Sequence, residues 1–313
     1  MDWLLFALGA ILLLLIVSGG YVFFTACGKK KDIAWMDDEA LSKTSYAKYG
    51  NLIKNSNRWL HDHDAQPVNV KSFDGTLLHG LWIPAENPRG TILLAHGYRS
   101  TRLVDFGKVY SIYHEKGMNI LVPEQRCHGT SSGKYITFGV KESRDMVCWI
   151  EYINHNLTDL PMLISGLSMG ASTMLYLADQ ELPDNVKGII ADCGFTSPKA
   201  IISKVFTDVT HLPAGPVIFV TDLFARIFAG FSLDERDTRR SLANARLPVL
   251  LVHGESDDFV PCSMSVEAYN ACTGPKELLT APGAGHGLSF LYVQEQYTRL
   301  VTEFLDTYIG EEK

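Results

Sequence analysis

Six short apolar runs punctuate the chain from residue 91 onward: Thr91–Ala95, Asn119–Pro123, Met162–Ser165, Gly188–Ala191, Pro248–Val252 and Glu277–Leu279. Segments of helical length and spacing lie between them, near 101–116, 141–156, 169–181, 262–272 and 288–309. Runs that are mostly apolar, rather than alternating, fit strands buried on both faces. Such strands need crossover helices to cover a parallel sheet. Upstream, Val68-Asn69-Val70 alternates, Phe73-Asp74-Gly75-Thr76 turns, and Leu77 to Ile83 returns, as in a hairpin. The pattern predicts an α/β chain, with one mostly parallel sheet opened by an antiparallel hairpin and helices on both faces.

A second constraint lies at the start. From Trp3 to Gly28 there are 26 residues without a charge, and Lys29-Lys30-Lys31 follow at once. About 20 apolar residues suffice to cross a bilayer as a helix. A cleaved signal would carry its basic residues before the apolar run, whereas here only Asp2 precedes it. Phe24-Thr25-Ala26-Cys27 resembles a lipoprotein signal only loosely, because it lacks the basic start. The expectation is a retained single-pass anchor in the cell membrane, with the lysines and the folded domain on the cytoplasmic side. The parts expected are 1–31 as anchor and basic flank, 32–64 as a helical connector, and 65–313 as one folded domain.

Composition removes several function classes. Hydrophobic residues make up 46% of the 313, which excludes a disordered chain. The formal net charge is −7 with no basic cluster in the body, which argues against nucleic acid as a partner. Six cysteines without a C-x-x-C pair make neither a disulfide framework nor a zinc site.

The chemistry concentrates in four places. Gly166-Leu167-Ser168-Met169-Gly170 follows an apolar run and precedes a helical segment. A nucleophile on a sharp strand-to-helix turn needs small neighbours on both sides, and the helix N-terminus favours negative charge developing there. The Ser168 hydroxyl needs a base. His286 lies on the small-residue loop Pro282–Gly287 after the last run, and the chain order serine, acid, histidine favours it. His253 competes but sits at a strand end, where a structural hydrogen bond suits it better. The acid is one of the adjacent Asp257 and Asp258. Acyl transfer also needs two N–H donors for the oxyanion. The backbone of Met169 supplies one, and Tyr98, in Ala95-His96-Gly97-Tyr98, the other.

These motifs resemble the alpha/beta hydrolase superfamily. Within it the chain is similar to bacterial membrane-anchored serine hydrolases related to monoacylglycerol lipases and serine aminopeptidases. The resemblance covers roughly residues 65–310. Its H-G motif falls on His96-Gly97, its G-x-S-x-G on Gly166–Gly170, its H-G-x-x-D-x-x-V-P on His253, Gly254, Asp257, Val260 and Pro261, and its G-H on Gly285-His286. It therefore implies Asp257 as the acid, an acyl-enzyme on Ser168, and no metal or cofactor. In the family's D-x-R-G-H-G-x-S segment, Glu124 stands in place of Asp and Cys127 in place of Gly. The implied activity is cleavage of carboxylic esters, with acylglycerols and other lipid esters as candidates. Competing readings are a peptidase or amidase on small peptides, and a non-catalytic membrane-tethered scaffold.

The connection from Asp192 to Pro248 is far longer than an ordinary loop. Its residues Val217, Ile218, Phe219, Leu223, Phe224, Ile227 and Phe228 are spaced for a helix with a broad apolar face. Either that face packs on the sheet, or the insertion, about 196–246, forms a lid. Phe195, Phe224 and Phe228 are the candidates for lining a substrate pocket.

Overall fold

The computed structural model describes residues 2–29, 59–60, 62–107 and 109–310. Lys30, Lys31 and nearly all of the expected connector lie outside the described residues. Eight strands form one sheet: β1 (Gln66–Lys71), β2 (Leu77–Ile83), β3 (Gly90–Ala95), β4 (Met118–Glu124), β5 (Met162–Leu167), β6 (Val186–Asp192), β7 (Val249–Gly254) and β8 (Lys276–Ala281). Their order is β1-β2-β4-β3-β5-β6-β7-β8. Pairs β1/β2 and β2/β4 are antiparallel, and every pair from β4/β3 to β7/β8 is parallel. All residues of β3, β5 and β7 are buried. That explains why they read as continuous apolar runs: helices cover both faces. Trp149, Met146 and Met174 fill one side of the sheet and Tyr110, Tyr113 and Phe304 the other.

The expected helix over 101–116 is two short ones, Arg102–Phe106 and Tyr110–Glu115, separated at Gly107, where helix propensity is poorest. The helix after the elbow is regular only over Met169–Leu175.

The long insertion folds as helices Pro198–Thr210, Gly215–Phe224 and Thr238–Leu242, with a single wide turn at Ala225–Ala229. Its apolar face does not reach the sheet. Ile218, Ala225 and Ala229 join Phe195, Ile201 and Met169 in a third core, to which Phe23 and Cys27 of the N-terminal helix, Asp2–Cys27, also belong. That helix is long and apolar enough to cross a membrane. Its first two thirds are mostly exposed, and its last turns pack on the insertion.

Strand order reverses at β3, with β4 on one side and β5 on the other. Ligands in open α/β sheets bind at the carboxyl ends of strands flanking such a reversal.

Candidate active site

Ser168 occupies that position, directly after β5. Its backbone has φ 55° and ψ −115°, in the left-handed region that L residues avoid. The turn survives because its neighbours are glycines. A Cβ on Gly166 would meet the Gly170 carbonyl at 2.2 Å, and one on Gly170 would meet the Ala95 carbonyl oxygen at 1.8 Å. Ser168 is held by its N–H, which donates to the Asp192 carbonyl at 2.8 Å.

Three distant segments meet here. His286 Nε2 is 2.9 Å from Ser168 Oγ, and His286 Nδ1 is 2.6 Å from Asp257 Oδ2. Asp257 Oδ1 accepts the N–H groups of Phe259 at 3.0 Å and Val260 at 2.8 Å. Burial alone would raise the Asp257 carboxyl. Hydrogen bonds from His253 and His286, together with the His286 charge, hold it well below the usual carboxylate range. An ionised Asp257 keeps the His286 Nδ1 protonated and frees Nε2 to accept the serine proton. Asp258, the alternative acid, is exposed, with its carbonyl taken by Lys204. His253 is fully buried, its Nδ1 2.6 Å from Ser265 Oγ and its Nε2 2.8 Å from the Val260 carbonyl. It shapes the loop that carries Asp257.

The loop after β3 lies against Ser168, since a Cβ on Gly97 would sit 3.3 Å from the Ser168 Cβ. Met169 opens its helix, so its N–H has no intrahelical acceptor. Two residues fix this loop: Asp105, which the sequence does not signal, and His96, which it marks only through the H-G motif. Buried Asp105 accepts the Gly97 N–H at 2.6 Å and the Ser100 hydroxyl at 2.6 Å. His96 is fully buried. Its Nε2 accepts the Gln125 N–H at 3.0 Å and its Nδ1 faces the Gly97 carbonyl at 2.9 Å. Neither residue belongs to the elbow motif, and a lone aspartate eight positions after Gly97 gives no signal in the sequence.

The altered loop after β4 is structural. Glu124 binds Arg102 at 2.6 Å and takes the Thr130 N–H and hydroxyl. Burial pushes the Cys127 thiol up to about 12, so it stays protonated and is no nucleophile. Cys193, Asp257 and His286 bring ligand-type atoms within 4.8 Å of one another, the one such group among the described residues. Two of the three already form the proton chain, and burial drives the Cys193 thiol far above its ordinary value, which makes it a poor metal ligand.

Beside Ser168 lies a cavity of about 640 Å³ lined by apolar side chains, among them Tyr98, Phe138, Phe195, Ile202, Phe206 and Phe259. Of the three expected lining residues, Phe195 is there. Phe224 and Phe228 are not. Their rings pack instead on Phe23 and Phe24, with centroids 5.6–6.2 Å apart, because the helix that carries them faces the N-terminal helix. The site combines an elbow serine, an oriented imidazole and an apolar pocket, the parts required for acyl transfer.

The profile of the prolyl oligopeptidase family matches residues 106–312. The Bacillus subtilis protein YqkD is 27% identical over 238 residues, covering 76% of this chain and 78% of its own. The Schizosaccharomyces pombe protein bem46 is 26% identical over 241 residues, 74% of this chain and 72% of its own. Among solved structures, the Pyrococcus furiosus esterase Pf2001 superposes with a TM-score of 0.65 at 22% identity, over 80% of this chain and 93% of that one. That likeness concerns the fold. The matched profile spans most of the folded body and both segments that meet Ser168 from the C-terminal side, and so the chain belongs to the prolyl oligopeptidase family of alpha/beta hydrolases.

Proposed function

We propose that this protein is a membrane-anchored serine hydrolase that cleaves carboxylic esters. The observation that carries the reading is the chain of short contacts from Ser168 Oγ through His286 to Asp257. As Ser168 attacks the ester carbonyl, His286 takes its proton, and the backbone N–H groups of Met169 and Tyr98 hold the oxyanion. His286 then protonates the leaving alkoxide. Water, activated by the same imidazole, releases the acid and restores the hydroxyl. The apolar cavity favours an acyl group over a charged peptide. The N-terminal helix supports membrane anchoring, and Lys29 with its two following lysines supports a cytoplasmic domain.

The test uses p-nitrophenyl esters and a fluorophosphonate probe. Ser168→Ala should lower ester turnover by at least about 10³-fold and abolish labelling while the circular dichroism stays unchanged. Equal rates from the two proteins would end the hydrolase reading. The family match to peptidases supports one alternative, amide cleavage. A panel of aminoacyl anilides turned over faster than any ester would replace the ester assignment with it.

A further inference from the structure

The N-terminal helix is more than a tether. Its last turns are clasped on two sides. On one, Thr221 Oγ1 lies 3.2 Å from the Gly19 carbonyl, and the helices approach so closely that a Cβ on Gly19 would stand 2.5 Å from Val220. On the other, the helix's terminal carbonyls are taken by the hydrolase body. Arg99 donates to Thr25 at 2.6 Å, the Tyr98 hydroxyl to Ala26 at 2.7 Å, and the Ile136 N–H to Cys27 at 2.7 Å. These bonds satisfy orphan acceptors at the negative end of the helix dipole. The clasp runs through Tyr98, on the loop beside Ser168.

Held this way, the helix forms one wall of the cavity. Val17, Ser18, Tyr21, Val22, Thr25 and Ala26 face the same space as Ser168. Geometry then places the cavity relative to a bilayer. The free part of the helix, Trp3–Ser18, is about 24 Å long, at 1.5 Å per residue. The hydrocarbon core is about 30 Å thick. With the helix spanning a bilayer as proposed above and Trp3 at the far edge of that core, the remaining length falls on the clasped turns, which brings the insertion beside them to the leaflet. It is built for that. Phe219, Leu223 and Ile227 point outward, Phe219 with 75% of its surface exposed, alongside the helix.

We propose that the N-terminal helix completes the acyl-binding cavity, so that the substrate is a lipid ester drawn laterally from the leaflet in which helix and insertion sit. This rests on the serine hydrolase reading above. The fatty chain lies between the helix and Pro198–Thr210, and its ester carbonyl reaches Ser168.

The test uses the full chain in phosphatidylcholine vesicles and an alkyl fluorophosphonate whose chain ends in a diazirine. Ser168 Oγ bonds to phosphorus, fluoride leaves, and His286 takes the proton. Light then converts the diazirine to a carbene, with loss of nitrogen, and the carbene inserts into a neighbouring bond. Crosslinks from labelled Ser168 to residues 17–26 are expected. Crosslinks confined to other segments would overturn the inference and leave the hydrolase reading standing. No label on Ser168 would overturn that reading, and this inference with it. As a second measurement, Val22→Trp should lower the ratio of dodecanoyl to acetyl ester turnover about tenfold or more, the scale of a lost methylene site. Leu12→Trp, on the exposed part of the helix, should not change it. An equal ratio in the two variants would also overturn the inference.

Discussion

Ser168, the proposed nucleophile, shows how much a strained residue leans on neighbours that have no chemistry. Its positive φ lifts the hydroxyl clear of β5, a conformation of the kind that costs about 1–3 kcal/mol and is held by the surrounding structure. Gly170 permits it by letting the elbow helix touch the end of β3. Gly170→Ala drives a methyl into the Ala95 carbonyl, a fixed backbone atom, and should destabilise the fold by about 3 kcal/mol or more. Gly215→Ala is the contrast, since nothing lies within 4 Å of the added methyl. It should stay within about 0.5 kcal/mol of the parent. Urea midpoints of the three proteins check both values. At this scale the sequence was informative wherever a motif fixed the residue type. It was silent on Asp105, whose role exists only because a loop after β3 bends back onto its carboxylate.

Among the elements, the hairpin β1–β2 joins the body through the β2/β4 ladder, and one guanidinium fastens its turn. Arg126 binds Asp145, on the helix Val140–Asn156, through two contacts of 2.6 and 2.7 Å, and reaches Asp74 in the hairpin turn at 3.0 Å. Asp145 is fully buried, so removing its partner strands a charge. Arg126→Met should cost about 3–5 kcal/mol, and adding Asp145→Leu should recover much of it, because the pair is worth far less than the cost of breaking it. Thermal unfolding of the single and double variants measures the coupling. The strands were legible element by element, since burial on both faces leaves only apolar residues at those positions. The insertion was not. Its apolar face fits a helix packed on the sheet as well as it fits a lid, and in fact it packs on a third partner, the N-terminal helix.

For the whole molecule, pH reports on a buried group that the sequence marks only as part of a motif. Burial pushes His96 down to about 4, from an ordinary value near 6.5, and its hydrogen bonds suit the neutral ring. Between those values the unfolded chain binds a proton that the folded one refuses. Stability from this residue is therefore complete above about pH 6.5 and is lost as pH falls toward 4. Global unfolding free energy should drop by about 2 kcal/mol from pH 7 to pH 5 on this account. The drop should shrink in His96→Gln, and an unchanged pH slope in that variant would remove the assignment. The sequence alone determined the α/β architecture, the elbow serine and a segment able to cross a bilayer, because each depends on local pattern: burial, backbone permissiveness at glycine, length without charge. Only the tertiary structure decided that residues 168, 257 and 286 touch, and that the segment able to cross a bilayer closes the pocket beside them. Contacts between residues 29 to 118 positions apart follow from how strands and helices pack, and no local pattern records them.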